Sequence, residues 1–236
     1  MSTKRRNLVI LTGAGVSAES GVATFRGAGG LWEGHRIEDV ASPEGFARDP
    51  ALVQTFYNLR RAALRTVEPN AAHRAIARLQ REYQGGRVTL ITQNVDDLHE
   101  RGGSPEVIHM HGELLKIRCT RCHAVHRWAE DITPELACAS CQTAGRLRPD
   151  IVWFGEMPYH MDDIYDALAA AQVFVAIGTS GKVYPAAGFV VEAARHGART
   201  IECNLEPSDV SDAFDEHRTG AAGVSVPAWV DEMLRE

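Results

Sequence analysis

Two histidines, His109 and His111, stand just ahead of the cysteine pair Cys119 and Cys122. Imidazole nitrogen and thiolate sulfur are the usual zinc ligands, so this stretch first suggests a catalytic metal site with His111 as a ligand. A second pair, Cys138 and Cys141, follows after fifteen intervening residues. Two Cys-x-x-Cys pairs at that spacing make the pattern of a tetrahedral four-thiolate zinc site, whose filled coordination sphere leaves no position for water or substrate. The metal is therefore expected to be structural. His123 and His126, inside the module, compete as ligands on paper but are not needed, and His111 is released from metal binding.

A second chemistry lies near the start. Asn7 to Thr12 is a short apolar run ending at Gly13, Ala14 and Gly15, and Val16 to Ser20 can open a helix. Gly13 to Ala18 follow the G-x-G-x-x-G/A template, in which glycines let the backbone approach a pyrophosphate at a helix N-terminus. A plain glycine turn of an α/β protein would show the same letters; strand before and helix after are the context that favours the template. The template's acidic residue, about 20 positions on, is missing. Phe25 to Glu33 is glycine-rich instead, which fits a loop closing over a cofactor better than an ordinary dehydrogenase. Arg87 to Thr92 reads as another strand, ending in Gln93, Asn94, Val95 and Asp96. Ligands gather at strand carboxyl ends, so these side chains form a candidate site; the alternative is that Asn94 or Asp96 only caps the next helix. Tyr57 and Arg60, three apart, share a helix face and by themselves read as a packed tyrosine beside a solvated arginine.

The elements that must carry these residues follow from turn and cap signals. Ser42-Pro43, Asp49-Pro50 and Asn70 open helices, the last two covering roughly 51–66 and 71–83. Arg148 to Glu156 contains a short apolar run ending in glycine, and Asp162 to Ala171 is helical. A strand from Gln172 to Ile177 ends in Gly178, Thr179 and Ser180; after a helix from Pro185 to Arg195, another strand runs from Arg199 to Asn204. Gly223 to Val226 and a final helix from Ala228 to Arg235 close the chain. Alternating strands and helices imply an α/β fold with a parallel, doubly wound sheet covered on both faces. With 236 residues, one large domain with insertions fits best. Its expected parts are a main domain of 1–26, 85–112 and 148–236, a loop and helical insertion of 27–84, and a zinc module of 113–147.

A net charge of −6 argues against a nucleic-acid binder working through a broadly basic surface. No apolar run approaches a membrane span, and Leu8 to Leu11 is too short for a signal-peptide core, so the reading is cytoplasmic. Cysteine pairs in a reducing compartment also favour metal over disulfides, with Cys203 left as a small core residue.

Taken together, Gly13 to Gly21, Thr24-Phe25-Arg26, Gln93 to Asp96, His111-Gly112, the two cysteine pairs, Phe154-Gly155-Glu156 and Gly178 to Ser180 resemble the sirtuin family of NAD-dependent protein-lysine deacylases, in the family's order. Tyr57 and Arg60 further resemble the Tyr-x-x-Arg pair of its bacterial desuccinylase and demalonylase subgroup. The resemblance implies a Rossmann-like core, NAD as a consumed co-substrate, one structural zinc, and acylated-lysine proteins or peptides as partners. It implies a cofactor set of Gly13, Ala14, Gly15, Ser17, Glu19, Thr24, Phe25, Arg26, Trp32, Gln93, Asn94, Val95 and Asp96, continued by Gly178, Thr179, Ser180, Asn204, Leu205, Glu206 and Ala222. His111 would be the base that takes a proton from the ribose hydroxyls, with Asn94 beside it at the nicotinamide pocket. Tyr57 and Arg60 would grip an acyl carboxylate, and Val152, Phe154, Gly155 and Glu156 would line the peptide groove. The products would be free lysine, nicotinamide and O-acyl-ADP-ribose. The alternatives are a mainly acetyl-removing enzyme and, more remotely, a non-catalytic NAD or ADP-ribose binder with a zinc docking lobe.

Overall fold

The computed structural model describes residues 6–22, 31, 32 and 34–235. In chain order its elements are β1 (Leu8–Thr12), α1 (Ala14–Ala18), the hairpin β2 (Leu31–Trp32) and β3 (His35–Arg36), α2 (Ile37–Val40), α3 (Pro43–Arg48), α4 (Pro50–Leu64), α5 (Ala71–Glu82), β4 (Val88–Thr92), α6 (Leu98–Arg101), β5 (Ile108–His109), β6 (Gly112–Cys119), β7 (Val125–Arg127) and β8 (Leu147–Ile151). α7 (Met161–Ala169), β9 (Val173–Ile177), α8 (Phe189–Arg195), β10 (Arg199–Asn204), β11 (Glu216–Thr219) and α9 (Ala222–Met233) complete it.

Every residue of β1 and of β9 is buried. Unbroken apolar runs of this kind, without polar alternation, are what parallel strands covered on both faces require. They sit at the centre of a six-stranded parallel sheet ordered β11-β10-β9-β1-β4-β5. Leu8, Ile10 and Val175 face α5 and α9, where Ile76, Leu79 and Trp229 pack; Val9, Leu11 and Phe174 face α7 and α8, where Ile164, Leu168 and Phe189 pack. Each such side chain stabilises the fold by roughly 1.5–3 kcal/mol.

A second, antiparallel sheet ordered β7-β6-β8 holds the cysteine module. α4 lies against it, burying Val53, Phe56 and Tyr57 with Leu114, Ile151 and Trp153. Helix starts fall where the caps place them. Ser42 accepts from the Gly45 N–H and Asp49 from the Leu52 N–H, each at 2.9 Å, and each is followed by a proline whose missing N–H costs nothing at that position. Asn70 caps α5 in a capping box with His73.

The fold departs from the sequence expectation at several points. α5, placed within the 27–84 insertion, packs on the large sheet with α9. The edge strand β11, Glu-His-Arg-Thr, has no sequence signature, because a charged edge carries no apolar alternation. The final helix begins at Ala222 rather than Ala228 and absorbs Gly223 to Val226, with Pro227 inside it. The Glu19 carboxylate accepts the Gly223 N–H at 2.8 Å, satisfying one of the helix's first-turn donors.

Candidate active site

The chain leaves β1 for β4 and β5, then returns to β9 on β1's other side, so strand order reverses between β1 and β9. Ligands of open α/β sheets bind beyond the strand carboxyl ends at such a point. There the Gly13 N–H donates to the Ile177 carbonyl at 3.0 Å and the Gly15 N–H to the Gly178 carbonyl at 2.9 Å. A Cβ on Gly13 would stand 2.7 Å from the Gly178 oxygen, and one on Gly15 2.7 Å from the Gly178 Cα. Gly178 itself has φ +62°, and a Cβ there would meet the Val16 nitrogen at 2.5 Å. The loops after β1 and β9 therefore meet backbone to backbone, a contact that only glycine permits at these positions.

Around this junction the expected cofactor residues converge. Asn204 donates to the Thr179 carbonyl at 2.7 Å and accepts from the Leu205 N–H at 3.1 Å, pinning the loop after β9. The Ser180 hydroxyl accepts from the Lys182 N–H at 3.3 Å. Leu205 and Glu206 are exposed at the rim, and Glu19 meets the start of α9 beside Ala222. Thr24, Phe25 and Arg26 lie outside the described residues, and Trp32 is placed only as part of the β2 backbone.

A buried polar cluster lies next to the glycine loop. Asn94 donates to the Gly13 carbonyl and to the Ser17 hydroxyl, both at 3.1 Å, and Ser17 donates to Asp96 Oδ2 at 3.0 Å. The other Asp96 oxygen accepts the Leu98 N–H at 3.1 Å, so Asp96 holds the first N–H of α6 as well as joining the cluster. Burial pushes the Asp96 carboxyl above its ordinary range, against the pull of Leu98, Ser17 and His109. Two histidines, His73 and His99, complete the cluster. His73 Nδ1 accepts the Asn70 N–H at 3.2 Å, which places its proton on Nε2, 3.4 Å from the Ser17 hydroxyl. Burial, with Arg74 nearby, holds His73 neutral with a pKa of about 4. His99 packs edge-on against it at 4.8 Å and bonds Thr12 at 3.0 Å. Only the position of His73 three residues after a capping Asn could have flagged it.

His111 sits where β5 gives way to β6. Its Nδ1 is 3.1 Å from the Gln93 carbonyl, which can only accept, so Nδ1 carries the proton and Nε2 presents a lone pair. Burial lowers its pKa, against the opposing effect of that hydrogen bond, and keeps it neutral near pH 7. The backbone fixes the ring's base. The Val152 N–H donates to the His111 carbonyl at 2.9 Å, and the following Gly112 has φ +80° with its Cα hard against β8. A Cβ at Gly112 would lie 2.1 Å from the Asp150 oxygen. Val95 completes this corner, its carbonyl accepting the Leu114 N–H at 2.7 Å.

Of the Tyr57 and Arg60 pair, the tyrosine is packed as its sequence position suggests, whereas the arginine is half-buried rather than solvated. Tyr57 is fully buried, and its oxygen accepts the Trp153 indole N–H at 3.0 Å. Burial pushes its pKa up to about 12, so it stays a neutral phenol. The Arg60 guanidinium is half-buried, 5.6 Å from the Phe56 ring centre. Trp153 is held in turn by Arg148, whose guanidinium lies 3.4 Å from the indole centre and bonds Glu156 through both oxygens at 2.7 and 2.9 Å. Glu156 also accepts the Trp153 N–H at 2.8 Å, so its carboxylate braces the turn that carries Val152, Phe154 and Gly155. Phe154 is 48% exposed, and its N–H bonds the Ala41 carbonyl at 3.0 Å.

The four cysteines form one cluster, every Sγ within 4.8 Å of the others. Cys119 to Cys141 and Cys122 to Cys138 each span 3.7 Å. A tetrahedron with zinc–sulfur bonds near 2.3 Å has edges of about 3.8 Å, so the donor set fits zinc. His126 stays outside, its Nε2 3.3 Å from the Ser140 hydroxyl and 3.9 Å from Cys138 Sγ. Cys203 is core, its thiol pushed up to about 12 by burial.

A doubly wound sheet with a glycine-lined switch point and a base-form histidine at its edge is the architecture of an enzyme that reacts at a bound dinucleotide. The Sir2 family model matches residues 13–185. An NAD-dependent protein deacylase of Vibrio parahaemolyticus is 61% identical over 236 residues, 99% of this chain and 98% of the relative. A protein of the same description from Escherichia coli K12 is 58% identical over 234 residues, 98% of this chain and 84% of the relative. A solved complex of a Sir2 homologue with NAD superposes with a TM-score of 0.89 at 41% identity, covering 99% of this chain and 91% of that one. Sir2Af2 bound to a myristoylated histone peptide superposes with 0.76 at 33%, covering 99% and 93%. The chain belongs to the Sir2 family, the sirtuins, and is an NAD-dependent protein deacylase with a structural zinc site.

Proposed function

We propose that this deacylase prefers lysines carrying a short acidic acyl group, succinyl or malonyl, over acetyl-lysine. The observation that carries the reading is the Tyr57–Trp153 hydrogen bond at 3.0 Å. An indole N–H only donates, so Tyr57 is the acceptor in that bond and its own O–H points elsewhere. Arg60 lies on the same helix, three residues on, and its planar guanidinium can take a carboxylate through two hydrogen bonds. Acetyl offers no charge to this pair.

In this reading NAD supplies the leaving nicotinamide and the ribose that accepts the acyl group. Gly13, Ala14, Gly15, Thr179, Ser180 and Asn204 hold its pyrophosphate and adenosine half, with Glu19, Leu205, Glu206 and Ala222 at the rim. Gln93 reaches ribose, and Asn94, Val95 and Asp96 with Ser17 form the nicotinamide wall. His111 Nε2 takes a proton from a ribose hydroxyl, a role that its neutral tautomer supports. Val152 to Glu156 offer an extended peptide an edge to pair with, Phe154 covering the acyl-lysine stem. The substrates are acylated proteins or peptides rather than nucleic acid, in keeping with the net charge of −6. Thiolate zinc ligands fit the reducing cytoplasm. Among the described residues no helix is long and apolar enough to cross a membrane.

Rates on one peptide carrying acetyl, malonyl or succinyl lysine test the preference. Arg60→Met should lose roughly 2–4 kcal/mol of transition-state binding on succinyl-lysine and little on acetyl-lysine. Equal losses on both would refute carboxylate recognition.

A further inference from the structure

His109 is the member of the histidine pair to which the reaction assigns no task. It ends β5, is 7% exposed, and lies between two groups that can only accept. Its Nε2 is 2.6 Å from Glu100 Oε1, and its Nδ1 is 3.4 Å from the Asn94 carbonyl oxygen. A neutral imidazole has one N–H and serves one of them; only the imidazolium serves both. We infer that His109 is a buried cation that positions the Asn94–Asp96 wall, its Nδ1–H holding the Asn94 backbone and its charge facing the Asp96 carboxylate. The inference rests on reading that wall as the nicotinamide side of the NAD site. Asn94 is the hinge of the arrangement, since its carbonyl meets His109 while its amide reaches Gly13 and Ser17.

The surrounding charges support this state. Burial opposes protonation of His109, but the Glu100 hydrogen bond and charge, with Glu113 from β6 and the Asn94 carbonyl, outweigh it and raise its pKa. Glu100 moves the other way: burial alone would raise it, yet the bond to His109, that residue's charge and Lys116 hold it below its ordinary value. Asp96 feels His109 as an attractive charge, and His99 on α6 feels it as a repulsive one. The sign follows. A group with a raised pKa stays charged to a higher pH than an ordinary histidine, so the wall loses its cation as pH rises through the raised His109 value. His111, with its lowered pKa, titrates on the opposite, acid side.

The experiment is turnover of one acylated peptide by the zinc-loaded enzyme, with KM for NAD and kcat followed from pH 6 to 9. Wild type should show KM for NAD rising in the alkaline range while kcat stays flat. His109→Gln should raise KM for NAD at neutral pH about tenfold, change kcat little and abolish the alkaline rise. Glu100→Gln should move the rise to lower pH. A His109→Gln protein that melts earlier yet overlays the wild-type KM profile would overturn the inference, leaving His109 only a packing role. If His109→Gln does not fold, a nitrogen NMR titration of the wild-type ring decides: two protonated nitrogens that persist to a midpoint above the ordinary histidine value of about 6.5 support the cation, and a midpoint below it overturns the inference. Asp96→Asn with an unchanged KM for NAD would instead refute the wall reading itself, whatever the charge on His109.

Discussion

β6 runs eight residues from Gly112 to Cys119, roughly 23 Å at the rise of an extended strand, and its two ends do unrelated work. At the first end His111 sits in a corner built from β4, β5 and β8 backbone, with a proton-accepting nitrogen and a lowered pKa. At the other end Cys119 joins three more cysteines in a closed donor set, with no imidazole among them. A strand transmits position but separates chemistry: one end of β6 carries a zinc ligand, and the other adjoins the histidine that the proposed function makes the base. Residues adjacent in sequence are thus assigned to a staple and to a reaction.

The comparison breaks first at the metal. Cys119→Ser, or chelation, should remove the bound zinc and loosen the small sheet, costing at least about 4 kcal/mol in an unfolding titration. Full solubility and activity without metal would refute a structural zinc. Next, Gly112→Ala strikes the joint between the two ends. Its left-handed φ and the 2.1 Å approach to Asp150 predict a loss of roughly 2–4 kcal/mol with the His111 corner displaced, read as lower melting temperature and lower kcat together. Trp153→Phe keeps the ring but removes the N–H donor to Tyr57. It should cost succinyl-lysine turnover about tenfold, roughly 1.4 kcal/mol, and leave acetyl-lysine turnover near wild type, with zinc content untouched. The smallest effect is the acid limb. Because burial lowers the His111 pKa, kcat should rise with pH with a midpoint below the ordinary histidine value of about 6.5. A midpoint above that value would contradict the buried, neutral base.

What could be read in the residues was what local physics specifies. Strand, glycine turn and helix around Gly13 follow from a four-residue apolar core and two glycines; Ser42, Asp49 and Asn70 mark helix starts by chemistry that does not depend on the rest of the fold. The zinc set followed from spacing alone. What could not be read depended on distance along the chain. Trp153 and Tyr57 are 96 residues apart, and their hydrogen bond has no local signature. His73 and His99 look like ordinary helix residues until α5 and α6 bring them under Ser17 and Thr12. β11 reads as a charged loop, because Glu216 and Arg218 are engaged with each other and with Arg199 and Glu232 rather than with the core. Pro227 inside α9 is the opposite case, a helix-breaking residue overridden by packing of the helix on the sheet.

The separation of the two ends of β6 is tested most directly by free-lysine production from a succinylated peptide by zinc-loaded His111→Ala. The account predicts a loss of roughly 10²–10⁴-fold in a protein that still holds one zinc per chain. Lysine release at the wild-type rate by that protein would contradict it.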